Sequence, residues 1–565
     1  MTPAARAALS AAMDPHLRLL YGERAPDVFR QLLELADHYA PRIRRTPVRP
    51  SAATAYLITY GDALRREGET PLHTLAQVLH DRVGDIVSDV HLLPMFPWTS
   101  DDGFAVVDHR RINPALGDWD DVASLADDHG LVFDFVANHV SASSPWFIGW
   151  LAGDPSYAGY FIEQDPDFDT SRVVRPRVSP LYHRYRRADG SSASVWTTFG
   201  PDQVDVNLDT PAALVELTDV LLGYLARGAS AIRLDAIGFL CKESGTTCIH
   251  LPQTHAVVKL WRSLVDAVAP GTQLLTETNV PHAENVSYFG NRSDEAHMVY
   301  QFALPPLVLH SFVSGSTAKL TAWASEIGPV SGTATWFNFL ASHDGIGLRP
   351  TQGILDDAER QALVDRTIAH GGRVSMAASS DGRERVYELN LSYLDALAAP
   401  DEVDSDAIVV AKALAAHSIL FSVVGVPAVY YHSLFGSRAD HEGMHGTGIN
   451  RRINRAVLDA DQLLAELAAS PRRRAVFQGM ADMLRTRREQ PAFSPYGDQL
   501  IEALDDRVFA VRRGVGTADE LRSITNVTGE QVVLEGVAGR DVITGKEHVS
   551  LQLDPWGYVW LRSAS

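Results

Sequence analysis

The sequence predicts an α/β protein: a closed (β/α)8 barrel interrupted by two inserted subdomains and followed by an antiparallel β domain. Three observations lead there. Short apolar, β-prone runs alternate with helical periods through most of the chain, and that alternation specifies a parallel sheet. Eight such runs can be counted, beginning at Ala55, Val87, Leu131, Ala231, Gln273, Met298, Trp336 and Ala428, the number a closed barrel needs. Beyond about residue 490 the period shifts to short strands separated by polar turns.

In chain order, residues 1–53 read as a helical extension, with apolar residues at helical spacing in Ala8–Leu20 and Pro26–Tyr39 and a basic, proline-bearing link over Pro41–Pro50. The barrel occupies 54–490. Its helices are expected at Pro71–Val83, Asp120–His129, Pro211–Arg227, His255–Val268 and Ala407–Val423, with a long helical stretch over Asp459–Arg488. The rhythm breaks at about 140–205 and again at about 345–400, which are assigned as inserts. Residues 491–565 form the β domain, with strands expected at Leu500–Val511, Glu520–Asn526, Glu530–Glu535 and Val549–Leu561.

Composition narrows the function. At 565 residues the chain is too long for one core. Its 45% hydrophobic and 21% charged residues are those of an ordinary globular protein, and a net charge of −20 excludes the basic face that a nucleic-acid partner demands. An anionic substrate must therefore be met by a local group of arginines. The most membrane-like segment, Ala407–Tyr431, contains Lys412, His417 and Pro427 and reads as a buried helix running into a buried strand, so no membrane partner is expected. The two cysteines, Cys241 and Cys248, lack further ligands at zinc spacing; free thiols and a cytoplasmic location are expected. His441-Glu442-Gly443-Met444-His445 spells a zinc-protease pattern, but Gly443, Gly446 and Gly448 favour a loop there, and no metal site is expected.

The chemistry gathers at strand ends, where a barrel of the TIM type carries its active site. Ala231–Gly238 is the key stretch: Arg233 and Asp235 leave one face of a buried strand, and the arginine would hold the aspartate ionised, as a nucleophile must be. A purely structural ion pair is the competing reading of that octet. Asn138-His139, Glu277 and His343-Asp344 close three other strands, and Asp101 to Phe104 follow a fourth. Five of eight ends bearing such groups are hard to explain by structure alone, because buried charge is costly without a task. Three converging carboxylates without a phosphate loop suggest glycosyl transfer. Asp235 suits the nucleophile. Glu277, among Thr276, Thr278 and Asn279, suits the protonated acid. Asp344, with His343, suits transition-state stabilisation.

Asp134–His139, Arg233–Gly238, Glu277 and His343-Asp344 together resemble the signature regions of the α-amylase superfamily. Ile58–Asp62, His91–Pro94, Asp102-Gly103-Phe104, Ala303–Leu307 and Ser342–Gly347 resemble more closely its sucrose phosphorylase subfamily, over about Ala55 to Arg455. The resemblance implies a retaining double displacement with phosphate as acceptor, giving α-glucose 1-phosphate, with Asp235 as nucleophile, Glu277 as acid/base and Asp344 as stabiliser. It also implies that Asp102, His139, Arg233 and His343 hold the glucosyl ring over Phe104. Sucrose phosphorylases carry Asp-Leu-Tyr-Gln in the loop of the second insert, where this chain has Arg385-Val386-Tyr387-Glu388. That exchange, the helical extension, Thr276–His282 and Trp336–Ala341 are more similar to the glucosylglycerate-cleaving members, whose acceptor is D-glycerate. Tyr387 and Glu388 are then expected at the substrate. Arg177 and Arg451, with Arg175, Arg452 and Arg455 behind them, are the cations available to phosphate and a carboxylate. Tyr182 and His183 end the loop after Arg177 and are expected to shape the acceptor pocket. No cofactor is implied beyond inorganic phosphate as co-substrate. The expected partners are a small sugar substrate and phosphate, in a monomer or homodimer. Phosphorylases acting on sucrose, sucrose 6'-phosphate or glucosylglycerol, an α-glucosidase, and an inactive carbohydrate-binding protein are the alternatives.

Overall fold

The computed structural model describes the chain except residues 44–47, 379–383, 401–403 and 563–565. Eight parallel strands close the expected barrel: β1 (Tyr56–Thr59), β2 (Asp89–Leu92), β3 (Gly130–Val136), β4 (Ala229–Asp235), β5 (Gln273–Thr276), β6 (Met298–Tyr300), β7 (Thr335–Phe339) and β8 (Val426–Tyr430). Each pairs with its neighbours in sequence, and β1 closes the ring on β8. All seven residues of β4 are buried, as are all of β5 and β7. This is why these strands read as apolar runs rather than as alternating ones.

The N-terminal extension is two helices, Pro3–Tyr21 and Ala25–Tyr39, the second strongly amphipathic with Val28, Leu32 and Ala36 inward. They lie against the barrel's outer helices: the Tyr21 hydroxyl donates to the Leu208 carbonyl and that of Tyr39 to Asp219, each at 2.9 Å.

The first insert is anchored by antiparallel pairing of His139–Ser141 with Gln203–Asp205 and projects a hairpin, Tyr182–Arg186 with Ser192–Trp196. The second folds as a three-stranded sheet of Ile346–Gly347, Glu384–Asn390 and Arg373–Ala378, flanked by the helix Asp357–Ala369. The long helical stretch is divided at Pro471 into Ala460–Ala469 and Pro471–Arg488. The C-terminal domain is a six-stranded antiparallel sheet with a separate two-stranded ribbon. Two of its expected strands are in fact pairs. Leu500–Val511 spans the hairpin Gln499–Asp505 and Val508–Arg513, and Val549–Leu561 splits into Leu551–Leu553 and Tyr558–Arg562. Polar Asp506-Arg507 and Asp554 to Gly557 supply the turns.

His441–Thr447, expected as a loop, is a short helix: the Asp440 side chain caps it by accepting from the Gly443 N–H at 2.8 Å, which outweighs the glycines' poor propensity. Among the described residues there is no group of three metal-ligating side chains, and no helix is long and apolar enough to cross a membrane.

Candidate active site

A cleft of about 890 Å³, open to solvent, lies at the carboxyl ends of the barrel strands, walled by both inserts. Asp235 is the last residue of β4 and Glu277 follows β5, so adjacent strands carry them side by side. Ala236 then takes a left-handed conformation, φ 48°, which an alanine adopts only at a cost of about 1–3 kcal/mol. Its N–H donates to Glu277 at 3.1 Å, so the strained turn bonds the β4 end to the carboxylate of the next strand.

Arg233 is the hub. It is 2% exposed, its Nη1 lies 2.7 Å from Asp235 and also bonds Asp134, and its Nη2 lies 4.0 Å from Glu277. Asp134 in turn accepts from His91 Nε2 at 2.7 Å. Burial raises the Asp235 carboxyl; Arg233 opposes that, and Glu277 reinforces it. Burial raises Glu277 too, again with Arg233 opposing and Asp344 reinforcing. The expectation that Arg233 alone keeps Asp235 ionised omitted this burial. The two carboxyls titrate as a pair. Arg233 touches Asp235 directly at 2.7 Å and reaches Glu277 only at 4.0 Å.

Asp344 differs. Burial raises it, but Arg451 at 2.6 Å, then His343 and Arg455, outweigh burial and hold the carboxyl below its usual range. Phe104 stacks flat on His343, ring centroids 4.9 Å apart, and the Arg233 guanidinium lies over the Phe104 ring, 5.6 Å from its centre. The Phe104 loop passes so close to Pro94 that a Cβ on Gly103 would meet the Pro94 carbonyl at 2.9 Å. His139 donates from Nε2 to the Phe104 carbonyl at 3.0 Å.

Of the residues expected from sequence, Phe104, His139, Arg177, Arg233, Asp235, Glu277, His343, Asp344, Tyr387 and Arg451 line this one cleft. Two do not. Asp102 is held by Arg452 and by Arg455 at 2.6 Å, and its neighbour Asp101 takes the lining position. Glu388 is fully buried behind Arg451, bonded to its Nε at 3.0 Å and Nη2 at 2.6 Å, and does not line the cleft. Arg175 is turned to the Ser179 carbonyl, and His183 to Thr197 at 2.6 Å, so neither they nor Tyr182 reach the cleft.

Sequence reasoning missed Gln203, Phe199 and Arg349. Gln203 reaches the cleft through the long-range pairing of its strand with His139, and donates to Asp101 at 3.2 Å. Phe199 lies under the Arg177 guanidinium at 5.8 Å. Arg349 follows the Ser342–Gly347 motif by two residues, and that proximity was the available signal.

Barrel, strand-end carboxylates and paired inserts define a glycoside-processing enzyme of the α-amylase type: the Alpha-amylase family model (alpha amylase, catalytic domain) matches residues 86–345. Over 547 residues, 97% of each chain, the sequence is 46% identical to the glucosylglycerate phosphorylase of Allomeiothermus silvanus. It is 42% identical to that of Escherichia coli over 90% of this chain and 91% of the relative. The chain belongs to this phosphorylase family within the α-amylase group. A solved structure of sucrose 6F-phosphate phosphorylase from Thermoanaerobacter thermosaccharolyticum superposes with a TM-score of 0.74 at 26% identity, covering 89% of this chain and 98% of that one.

Proposed function

We propose that this chain is a retaining glucosylglycerate phosphorylase. It converts 2-O-α-D-glucosyl-D-glycerate and phosphate into α-D-glucose 1-phosphate and D-glycerate. Glu277 gives its proton to the glycosidic oxygen as that bond to the anomeric carbon breaks. Asp235 bonds the same carbon, and D-glycerate leaves as the free alcohol. Phosphate then attacks from the face that glycerate vacated, Glu277 takes its proton, and the Asp235 ester breaks. Asp344 stays ionised throughout and stabilises the positive charge that develops on the sugar. His139, Arg233, His343 and Phe104 hold the ring. Two buried, unbridged cysteines are consistent with a reducing, cytoplasmic setting.

The observation that carries the phosphorolytic reading is the state of Arg177. It lines the same cleft as the three carboxylates, bonds only the Tyr387 hydroxyl, and has no acidic partner among the described residues. A hydrolase needs no such cation where its acceptor enters; an oxyanion acceptor does. The test is incubation with glucosylglycerate with and without phosphate, followed by product analysis. α-Glucose 1-phosphate is the expected product in phosphate, and free glucose as the main product there would overturn the reading. The reverse reaction, from α-glucose 1-phosphate with glycerate, glycerol, fructose or fructose 6-phosphate, ranks the acceptors.

A further inference from the structure

The cleft is lined by four arginines, and their partners divide them into two kinds. Arg233 is neutralised by Asp134 and Asp235, and Arg451 by Asp344 and Glu388. Arg177 and Arg349 have no carboxylate within ion-pair distance among the described residues. Arg177 at least bonds a hydroxyl, whereas the Arg349 guanidinium makes neither a hydrogen bond nor an ion pair there. Arg349 is nonetheless largely out of water: burial works against its charge, and the one acidic group near enough to oppose this, Glu284, is already 3.4 Å from His250. A guanidinium withdrawn from most of its water, with no carboxylate or hydroxyl to meet it among the described residues, is placed to receive an incoming anion.

Its position says what arrives. Arg349 begins a short 3-10 turn immediately beyond the strand Ile346–Gly347. Asn279, two residues past Glu277, lies so close to that strand that a Cβ on Gly347 would meet its amide nitrogen at 2.9 Å. The Asn279 side-chain oxygen is itself buried without a hydrogen-bond partner. Arg349 and Asn279 thus line the cleft together with Glu277, while Arg177 is held in it between Phe199 and Tyr387. The proposed reaction brings two anions to this cleft in turn, and there are two uncompensated guanidiniums.

We propose that Arg349, with Asn279 beside it, is the specificity-determining anchor for the carboxylate of the acceptor, distinct from the Arg177–Tyr387 position that meets phosphate. A guanidinium takes a carboxylate through two parallel N–H···O bonds, and Asn279 has the amide to orient the neighbouring hydroxyl. The inference rests on the phosphorolytic reading above and assigns a residue within it.

The experiment uses the full chain and the variants Arg349→Gln and Arg349→Lys. With α-glucose 1-phosphate saturating, the KM for D-glycerate and the ratio of transfer to glycerate over transfer to glycerol are measured, and the KM for phosphate is measured in the forward direction. R349Q is expected to raise the glycerate KM at least tenfold and lower the glycerate-to-glycerol ratio by a similar factor, with kcat for glycerol transfer within about threefold of wild type. R349K, keeping the charge without the fork, should recover part of the loss. A phosphate KM raised as much as the glycerate KM overturns the separation of the two anion positions. An unchanged glycerate KM in R349Q, or a rise for phosphate alone, overturns the anchor. Because glycerol transfer is measured in the same preparation, a variant that has lost its fold is recognised by loss of both activities, and R349K then decides by the same ratio. If wild type itself rejects glycerate, it is the functional reading that fails, not this assignment within it.

Discussion

The two ends of the barrel each bury arginines, and treat them oppositely. At the carboxyl ends of the strands, Arg233 and Arg451 are surrounded by carboxylates; burial works against their charge, but Asp134 and Asp235, or Asp344 and Glu388, more than restore it. At the amino ends, Arg487 is just as buried and touches no carboxylate. It donates to the carbonyls of Phe421 (2.9 Å), Ala52 (2.5 Å), Thr54 (3.3 Å), Gly425 (3.3 Å) and Phe493 (3.2 Å). Arg513 of the C-terminal domain does likewise with Ser422 at 3.0 Å and Ser494 at 2.6 Å. Burial pulls both down to about 9, reinforced at Arg487 by the Arg513 charge and opposed at Arg513 by Asp498, so both are still charged at neutral pH. The same side chain thus does two jobs. Below, it stitches the N-terminal link, two strand entrances and the C-terminal domain together through main-chain oxygens that would otherwise be orphaned. Above, it fixes the ionisation of carboxylates that face a cleft.

The sharpest way to break the comparison is at the upper end. Asp235→Asn should lower kcat by about 1,000-fold or more while leaving the thermal midpoint near that of wild type, because the nucleophile is lost but the amide still fits beside Arg233. Steady-state kinetics with calorimetry checks this, and retained turnover would remove Asp235 from the mechanism. The matching change below is Arg487→Met. It leaves five carbonyls without their donor and should cost about 3–5 kcal/mol of stability by denaturant unfolding. The folded fraction should keep wild-type kcat. A loss of kcat without a loss of stability would mean that the lower end is coupled to the cleft.

Acid should find the buried neutral histidines of both ends. His109 and His417 are buried neutral, each donating to a backbone carbonyl, Val136 at 3.0 Å and Ala413 at 2.7 Å. Burial lowers both from 6.5 to about 4. The unfolded chain therefore takes up protons at these positions before the folded one does. Their contribution is complete above about pH 6.5 and is lost as pH falls towards 4, by about 3 kcal/mol per group. Unfolding midpoints measured between pH 7 and 4 should fall, and His417→Gln should flatten that fall; an unchanged slope in the variant would reject the assignment.

How much of this was legible in the sequence follows the same division. The barrel was readable because its strands are buried along all or nearly all of their length and punctuated by helices of clear period. Asp235, Glu277, Asp344, His139 and His343 were readable because each sits at, or within a few residues of, the end of a run whose direction the barrel fixes. What was not legible depends on pairing between distant segments. Gln203 reaches the site only because Gln203–Asp205 pairs with His139–Ser141. Arg349 lies in an insert with no period to place it. Glu388 looked like a substrate contact because it follows Tyr387, yet the strand Glu384–Asn390 is irregular here, its pairing skipping Tyr387; Tyr387 lines the cleft and Glu388 is buried.

That difference sets up the smallest and most discriminating change. Glu388 never meets the cleft, but both of its oxygens hold the Arg451 fork whose remaining nitrogen is 2.6 Å from Asp344. Glu388→Gln keeps the shape, leaves Arg451 one carboxylate partner rather than none, and so avoids the uncompensated buried charge that makes such deletions severe. Stability should change by no more than about 1 kcal/mol, since one charge-assisted bond survives through the amide oxygen. Turnover should fall about tenfold, because the fork is no longer clamped and Asp344 loses the fixed cation that keeps it ionised and aimed. The KM for glucosylglycerate should move less than kcat does, and the acidic limb of the kcat profile should shift upward as Asp344 is released. Measured together, these readouts sort Glu388 into one end or the other. A rate effect with stability kept makes it part of the electrostatic machinery, as Arg451 is. A loss of several kcal/mol with kcat unchanged would class it with Arg487, as a structural tie that happens to lie beneath the site.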